Sequence, residues 1–233
     1  MRTMIAVPCM DMVHTFFFAS MLSMRKPEGT EVAIASCSLV YEARHTLAQK
    51  AMNDGFDRVL WLDSDMNFKP DLMERLSADL DTGLEFVSGL YFTRKNPINP
   101  VVYEICHPTP MKNGEMYPTV ESFKEIPDGL FECEGCGFGA VMMTTDLLRR
   151  VGPLPFFPED RYGEDLTFCR KARAAGATLW CDSRIALDHI GLSLINESIY
   201  LSTKEADHGS GQHAGAGNGK SPAKQAGKRH IPG

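Results

Sequence analysis

The chain has 233 residues, of which 43% are hydrophobic, so it can bury a full hydrophobic core and its length favours one domain, with or without an appendage. A formal net charge of −6 argues against a general binder of nucleic-acid backbones, which would present a basic surface. No apolar run approaches the roughly 20 residues of a membrane helix, and no signal-peptide pattern opens the chain, so the sequence predicts a cytoplasmic protein.

Strands and helices alternate along the first part of the chain. Apolar runs predict four strands, at Thr3 to Pro8, Glu31 to Ser36, Arg58 to Leu62 and Phe86 to Gly89. Helical patterns predict the segments between them, at Met12 to Met24 with apolar residues all round, at Leu39 to Gly55, and from Pro70 to Leu80 with the proline as first helical residue. This order is typical of an open α/β sheet with parallel strands and crossover helices.

The second half of the chain has a less regular pattern. Many Pro, Gly and polar residues between positions 96 and 128 predict extended segments and loops over the edge of the sheet. A glycine-rich stretch, Glu132 to Gly139, leads into a short apolar strand (AVMM) and a capped helix (TTDLLRRVG). A further helix is predicted to begin near Glu164, and TLWCD is predicted to be the last strand.

The last thirty residues have almost nothing to bury. We therefore predict a single domain at residues 1–203 and a disordered tail rich in Gly, Ala and Lys at residues 204–233. From Lys220 onward the tail holds four positive residues and no acidic one, so the rest of the chain is more acidic than the whole.

The seven cysteines are scattered and mostly lie in apolar or helical contexts, which favours reduced core thiols. Cys133 and Cys136 form a C-x-x-C pair, but no second pair stands at the spacing that a structural zinc site needs. The sequence therefore does not favour a zinc site.

Two carboxylates follow the third predicted strand, at Asp63 and Asp65, with Ser64 between them. These residue types also form turns, so a turn is one interpretation. In open α/β sheets, however, ligands bind beyond the carboxyl ends of the strands, which is where these residues lie. Carboxylate oxygens suit Mg²⁺ or Mn²⁺, and substrate phosphates commonly complete the shell of such an ion.

A second group of candidate residues lies farther along the chain. Glu164 and Asp165 open a predicted helix, where acidic residues also match the helix dipole. Asp188 and His189 follow the last predicted strand, and a histidine in such a position is often structural. The combination of the two groups is more specific than either one.

In seven segments taken in order, the chain resembles the GT-A class of glycosyltransferases, particularly family 2-like enzymes and small phage or bacterial relatives. The matching segments are IAVP, SLVYEARHTLAQKA, VLWLDSDM with its D-x-D, VSGLYFTRKNPINPVVY, ECEGCGFGAVMM, GEDLTFCRKARAAG and DHIG. The resemblance implies a GT-A fold: a Rossmann-like sandwich with a mixed, mostly parallel central sheet. If the protein is phage-encoded, the predicted cytoplasmic location is the cytoplasm of the host cell.

The same resemblance implies roles for individual residues. It makes Asp65 a direct ligand of Mn²⁺ or Mg²⁺, His189 a further ligand, and Asp63 a contact to the donor ribose or to the metal through water. It makes Asp165 the base that deprotonates the acceptor hydroxyl, with Glu164 as its neighbour. The residues implied on the nucleotide side are Pro8, Cys37, Arg44, Asp63, Ser64 and Gly137.

The implied partners are a UDP- or GDP-sugar donor and an acceptor that is a glycan or a hydroxylated DNA base, the basic tail favouring a polyanion. His45 stands where many relatives have Asn, and Cys37 and Ser38 stand where an acidic residue often reads the base, so the donor stays open. The E-D base favours inversion, although a terminal His also occurs in retaining members.

Two rival interpretations stay open at this point. One is a phosphatase or phosphotransferase of the haloacid dehalogenase kind, although there the D-x-D normally follows the first strand. The other is a non-catalytic module that binds nucleotide sugars, which would keep Asp65 without needing Asp165. A dinucleotide-binding glycine motif and a P-loop are both absent from the sequence.

Overall fold

The structure, a computed structural model, describes residues 1–94, 96–112, 114–191, 194–198, 200, 201 and 204. Apart from Lys204, the predicted tail at residues 204–233 lies outside the described residues.

Among the described residues up to Ile195, thirteen strands and five helices are found. The strands are β1 (Thr3–Cys9), β2 (Thr30–Ser36), β3 (Arg58–Leu62), β4 (Met66–Asn67), β5 (Phe86–Leu90), β6 (Val102–Pro110), β7 (Met116–Ser122), β8 (Leu130–Cys133), β9 (Gly135–Cys136), β10 (Ala140–Thr144), β11 (Leu179–Ala186), β12 (Asp188–Ile190) and β13 (Leu194–Ile195). The helices are α1 (Thr15–Ser23), α2 (Val40–Asn53), α3 (Leu72–Asp81), α4 (Thr145–Val151) and α5 (Glu164–Ala174).

Seven strands form the central sheet, in the order β2-β1-β3-β10-β5-β11-β8. The four strands predicted first, β1, β2, β3 and β5, run in one direction together with β11. β10 lies antiparallel between β3 and β5, and β8 is antiparallel to β11. The expected mixed, mostly parallel central sheet is therefore confirmed.

Hydrophobic side chains cover both faces of this sheet. Because side chains alternate along a strand, Val59 and Trp61 of β3 belong to the core under α2, α4 and α5. Leu60 and Leu62 belong to the core on the opposite face, which α1 and α3 cover. A strand buried on both faces is apolar without alternation, which explains the run Arg58 to Leu62.

Two helix predictions are wrong at their first turn. α3 begins at Leu72 with Asp71 as its N-cap, so Pro70 lies before the helix. α1 begins at Thr15 rather than Met12, and the ring nitrogen Nδ1 of His14 accepts a hydrogen bond from the Phe16 amide at 3.3 Å. None of the helices in the described ranges is long and apolar enough to cross a bilayer.

The segment predicted as extended stretches and loops contains an antiparallel hairpin, β6 with β7, to which β9 pairs. Its prolines misled the prediction, because Pro cannot donate to a ladder and is rare in central strands. Here Pro108 of β6 pairs with Pro118 of β7, and β9 pairs with β6 only at Val102 and Tyr103, so among the described strands each proline has a paired strand on one side only.

Candidate functional site

A cavity of about 300 Å³ lies at the carboxyl ends of β1, β2 and β3. Parallel strands present these ends at one edge of the sheet, the usual ligand edge of open α/β folds. The cavity is lined by five of the six residues expected on the nucleotide side: Pro8, Cys37, Arg44, Asp63 and Ser64. Asp65 and Glu164 also line it.

Arg44 joins the two acidic motifs that face this cavity. The side chain is only 2% exposed; its Nη2 donates to Asp63 Oδ1 at 2.8 Å and its Nε to Glu164 Oε1 at 3.4 Å. Burial opposes the guanidinium charge, but the carboxylates of Asp63, Glu164 and Asp165 outweigh it and raise the pKa of Arg44. At Asp63, burial disfavours the charged carboxylate and so raises its pKa, while the positive charge of Arg44 works against that rise.

Aromatic rings enclose the Arg44 guanidinium on its other side. Its Cζ lies 5.1 Å from the ring centroid of Phe138 and 5.9 Å from that of Trp61, both within the range of a cation–π contact. Nη1 of Arg44 is buried and has no hydrogen-bond acceptor among the described residues. A buried donor of this kind, on a residue that lines the cavity, favours a ligand oxygen as its partner.

Asp65 and His189 meet at the side of the site nearest the small sheet β13-β12-β4. His189 Nε2 lies 3.5 Å from Asp65 Oδ2. Two backbone contacts hold them there: His189 pairs with Met66 across the β12–β4 ladder, and the Ile190 amide donates to the Asp65 carbonyl at 2.8 Å.

The orientation of the His189 ring suits a metal ligand. Its Nδ1 lies 2.8 Å from the carbonyl oxygen of Phe92, which can only accept, so Nδ1 carries the proton. Nε2 is therefore the ring nitrogen that faces Asp65. A histidine fixed in this way by a backbone carbonyl is the usual second-shell arrangement of metal-binding histidines.

The protein offers only part of the ligand shell that a divalent cation needs. No group of three His, Cys, Asp or Glu side chains among the described residues is arranged to hold a metal ion. Asp65 and His189 would supply two donors to such an ion, while Asp63 is engaged by Arg44. Ions such as Mg²⁺ are commonly held by one or two protein groups, with substrate phosphates and water completing the shell, so the set fits such an ion.

Arg94, which the sequence analysis did not single out, also contacts Asp65. Its Nη1 lies 2.8 Å from Asp65 Oδ2 and 3.0 Å from the Ile190 carbonyl. Burial opposes ionisation of Asp65, but His189 and Arg94 outweigh it and lower the pKa of this carboxyl. The available signal in the sequence was the position of Arg94, shortly beyond a predicted parallel strand.

Asp165 lies in the first turn of α5, which begins right after Gly163. Its Oδ1 accepts a hydrogen bond from the Leu166 amide at 2.7 Å. Burial, with the neighbouring charge of Glu164, raises the pKa of Asp165 to about 6. A carboxylate with this pKa is ionised at neutral pH and is a stronger base than an ordinary aspartate.

Gly137, the sixth residue expected on the nucleotide side, does not line the cavity. A Cβ at this position would collide with Tyr91 Oη and would lie 2.7 Å from Val101 Cγ1. Tyr91 Oη accepts a hydrogen bond from the Gly139 amide at 3.3 Å, and its ring lies edge-on to His189 at 5.4 Å between centroids. The structure thus shows Gly137 making room for Tyr91, a residue that the sequence analysis missed.

No protein-family model matches the chain, and no curated protein matches it. The structure is similar to that of A197 from STIV, with a TM-score of 0.62 and 22% identity over 82% of this chain and 86% of that one. It is also similar to the structure of GalNAc-T7 with UDP, GalNAc and Mn²⁺, with a TM-score of 0.56 and 12% identity.

The GalNAc-T7 match covers 82% of this chain and 44% of the other, so the chain spans less than half the length of that protein. At these identities the similarity defines the fold alone. With the mixed seven-stranded sheet, it confirms the expected GT-A, Rossmann-like architecture.

Proposed function

We propose that the protein is a glycosyltransferase that uses a divalent cation to move a sugar from a nucleotide-diphosphate sugar to an acceptor hydroxyl. The observation that carries this proposal is the ion-pair bridge through Arg44. Arg44 and Glu164 are 120 positions apart in the chain, yet Arg44 contacts both Asp63 and Glu164 beside one cavity. The D-x-D and E-D motifs therefore belong to one site, as a transfer between two substrates requires.

The nucleotide of the donor occupies the cavity between the ends of β1 and β2. Pro8, Cys37 and Ser64 line this side, and the cavity volume of about 300 Å³ lies at the lower end of the range for small-molecule sites. Arg44 orients Asp63, which would contact the donor ribose or, through water, the metal. UDP and GDP are the first nucleotides to test, and the UDP in the GalNAc-T7 structure supports starting with UDP.

Asp65 and His189 would hold Mn²⁺ or Mg²⁺ next to the donor diphosphate. The chemistry that such an ion supplies when bound is stabilisation of the charge on the departing nucleoside diphosphate. The hydrogen bond between His189 Nδ1 and the Phe92 carbonyl keeps Nε2 available for coordination.

Asp165 removes the proton from the acceptor hydroxyl as that oxygen attacks the anomeric carbon, which favours inversion. Its raised pKa of about 6 suits a general base at neutral pH. Glu164 supports this role because Arg44 holds it beside Asp165, where its charge adds to the basicity. The acceptor is a glycan, with a hydroxylated DNA base as the second candidate.

A phosphotransferase with an aspartate nucleophile gains no support, because Asp63, the first carboxylate of the D-x-D, is bonded to a buried guanidinium. That contact lowers the nucleophilicity of the carboxylate, because Oδ1 is engaged by the guanidinium.

Binding of the donor is tested by thermal unfolding with UDP, GDP, CDP and their sugars, each with and without Mn²⁺. A ligand that binds only the folded state raises the unfolding temperature by mass action, so the correct nucleotide gives a shift that depends on Mn²⁺. No shift with any nucleotide in the presence of Mn²⁺ would count against the proposal.

Catalysis is tested with Asp165→Asn and, as a matched control, Asp146→Asn, whose carboxylate is exposed on α4. We expect Asp165→Asn to lower transfer by about 100-fold or more while Mn²⁺-dependent nucleotide binding persists. The control should behave like the parent protein. Transfer by Asp165→Asn at the parent rate would remove Asp165 as base, and binding without transfer in the parent would favour the non-catalytic module.

A further inference from the structure

Arg94 occupies the position where the proposed function requires positive charge. Its Nη1 lies 2.8 Å from Asp65 Oδ2, the same oxygen that faces His189 Nε2 at 3.5 Å. The Asp65 side chain is 32% exposed and that of Arg94 46% exposed, so this ion pair lies at the open side of the site. Arg94 thus gives Asp65 a positively charged partner in the protein alone.

From this contact we infer that Arg94 is a resident counter-ion, which leaves Asp65 when a divalent cation binds and then binds the diphosphate of the donor. The inference rests on the proposed function. It assigns to Arg94 two successive partners: first a carboxylate of the protein, then a phosphate group of the substrate.

Charge is the reason why Arg94 would leave. A doubly charged ion bound to Asp65 Oδ2 would neutralise this carboxylate and repel the guanidinium at the same oxygen. Among the described residues, the other hydrogen-bond partner of Arg94 is the Ile190 carbonyl, at 3.0 Å, which is too weak a partner to fix a charged side chain. Since Arg94 is half exposed, its side chain can reorient without opening the core.

A phosphate group is the partner that suits the released side chain. The planar guanidinium donates two parallel hydrogen bonds to a phosphate, and a donor diphosphate held at Asp65 and His189 would lie within the region that Arg94 already reaches. Exchange of one anionic partner for another gives the guanidinium an anionic partner both in the protein alone and in the complex with ion and donor. It also links the two binding events, because the diphosphate gains its arginine only after the ion has taken Asp65.

The two partners predict opposite effects of one substitution. Arg94→Gln removes the competitor at Asp65, so Mn²⁺ alone should bind more tightly, by roughly fivefold, the effect of losing an exposed ion pair. The same substitution removes a contact to the diphosphate. UDP, GDP or CDP, whichever the protein binds, should therefore bind roughly tenfold more weakly at saturating Mn²⁺.

The experiment measures free Mn²⁺ by electron paramagnetic resonance during titration of the full-length protein, and nucleoside diphosphate binding by calorimetry at saturating Mn²⁺. Arg150→Gln is the matched control, because Arg150 pairs with Glu85 near the start of β5, away from Asp65, and is 41% exposed. It reports the diffuse effect of removing one positive charge. Arg94→Lys keeps the charge and should give intermediate values in both titrations.

Tighter Mn²⁺ binding together with weaker nucleoside diphosphate binding, both beyond the change in Arg150→Gln, would support the inference. Mn²⁺ binding by Arg94→Gln no tighter than by the control would overturn the counter-ion role and leave the proposed function standing. Unchanged diphosphate binding would overturn the second role of Arg94. If the parent protein and all three variants bind no Mn²⁺, even with nucleotide, the proposed function fails and this inference fails with it.

Discussion

Arg44 is the side chain whose loss should disturb the protein most. It is 2% exposed and pairs with Asp63 and Glu164, so Arg44→Met would leave both carboxylates without their partner. We expect a loss of about 3–5 kcal/mol in the free energy of unfolding, measured by urea denaturation.

Arg150→Met is the control for this substitution, because its ion pair with Glu85 is exposed and should contribute less than about 1 kcal/mol. The triple variant with Arg44→Met, Asp63→Asn and Glu164→Gln should recover part of the loss, since neutral amides tolerate burial better than carboxylates. A loss in Arg44→Met no greater than in Arg150→Met would contradict this view of the bridge.

The ionised carboxylate of Asp165 should lower the free energy of unfolding at neutral pH, because the burial that raises its pKa also disfavours its charge. The folded protein keeps the Asp165 proton up to its raised pKa of about 6, whereas the unfolded chain releases it near the ordinary aspartate pKa of 3.8. The folded state therefore binds more protons between these values, and the contribution of Asp165 to stability falls as pH rises from about 4 to about 6 and then stays constant. Asp165→Asn should be more stable than the parent by about 1–3 kcal/mol at pH 7.5 and by nothing near pH 4.

Denaturation of both proteins across this pH range measures the difference. The amide oxygen of Asn can still accept the Leu166 hydrogen bond, so the comparison isolates the charge. An advantage of the same size at pH 4 and at pH 7.5 would show that packing, and not ionisation, is the cause.

Among the elements, α1 departs most from its predicted environment. The sequence places apolar residues all round this helix, which predicts burial on all sides, but only Phe17 and Ser20 are buried. Phe16, Phe18 and Leu22 are each at least half exposed. An apolar pattern without alternation does not say which side of a helix meets the sheet, so the burial of Phe17 could not be predicted.

Phe17 and Phe18 therefore make a matched pair for testing the position of α1. Phe17 is buried and its ring lies 6.0 Å from that of Phe68, whereas Phe18 is 56% exposed. Phe17→Ala should lower the free energy of unfolding by about 3–5 kcal/mol. Phe18→Ala should change it by less than about 0.5 kcal/mol, because Phe18 is exposed. Both substitutions have the same effect on helix propensity, so the difference between them measures burial. Equal losses in urea denaturation would mean that α1 packs differently.

Local patterns predicted the elements better than their pairing. The strands β1, β2, β3 and β5 were predicted within one or two residues because each is a short apolar run between turn residues. The insertion of β10 between β3 and β5 was not predicted, since the run AVMM does not specify its neighbours. Antiparallel pairing of Val141 with Trp61 joins residues that no local signal connects.

The same limit applies to the candidate site. Asp63, Asp65, Asp165 and His189 were singled out because motif order and spacing marked them. Tyr91 and Arg94 were missed because their relevance depends on a long-range contact, the return of the chain after β5 toward Asp65 and His189. Residues of that kind become visible only when the fold is known.

For the chain as a whole, the proposed boundary between domain and tail gives a direct test. Tyr200 is 4% exposed and stacks on Phe92 with 4.4 Å between ring centroids, and Lys204 contacts the Lys124 carbonyl. The domain thus includes these positions. The sequence beyond them has almost nothing to bury, so we propose that it contributes nothing to folding.

Two truncations separate these segments. Removal of residues 205–233 should leave the midpoint of thermal unfolding within about 1 °C of the parent, whereas truncation after Ile195 removes the Tyr200 contact and should lower it by roughly 5–10 °C. If both truncations lower the midpoint equally, the last residues belong to the folded domain. Full transfer activity without residues 205–233 would also remove the argument for a polyanionic acceptor, because that argument depends on the basic residues from Lys220 onward.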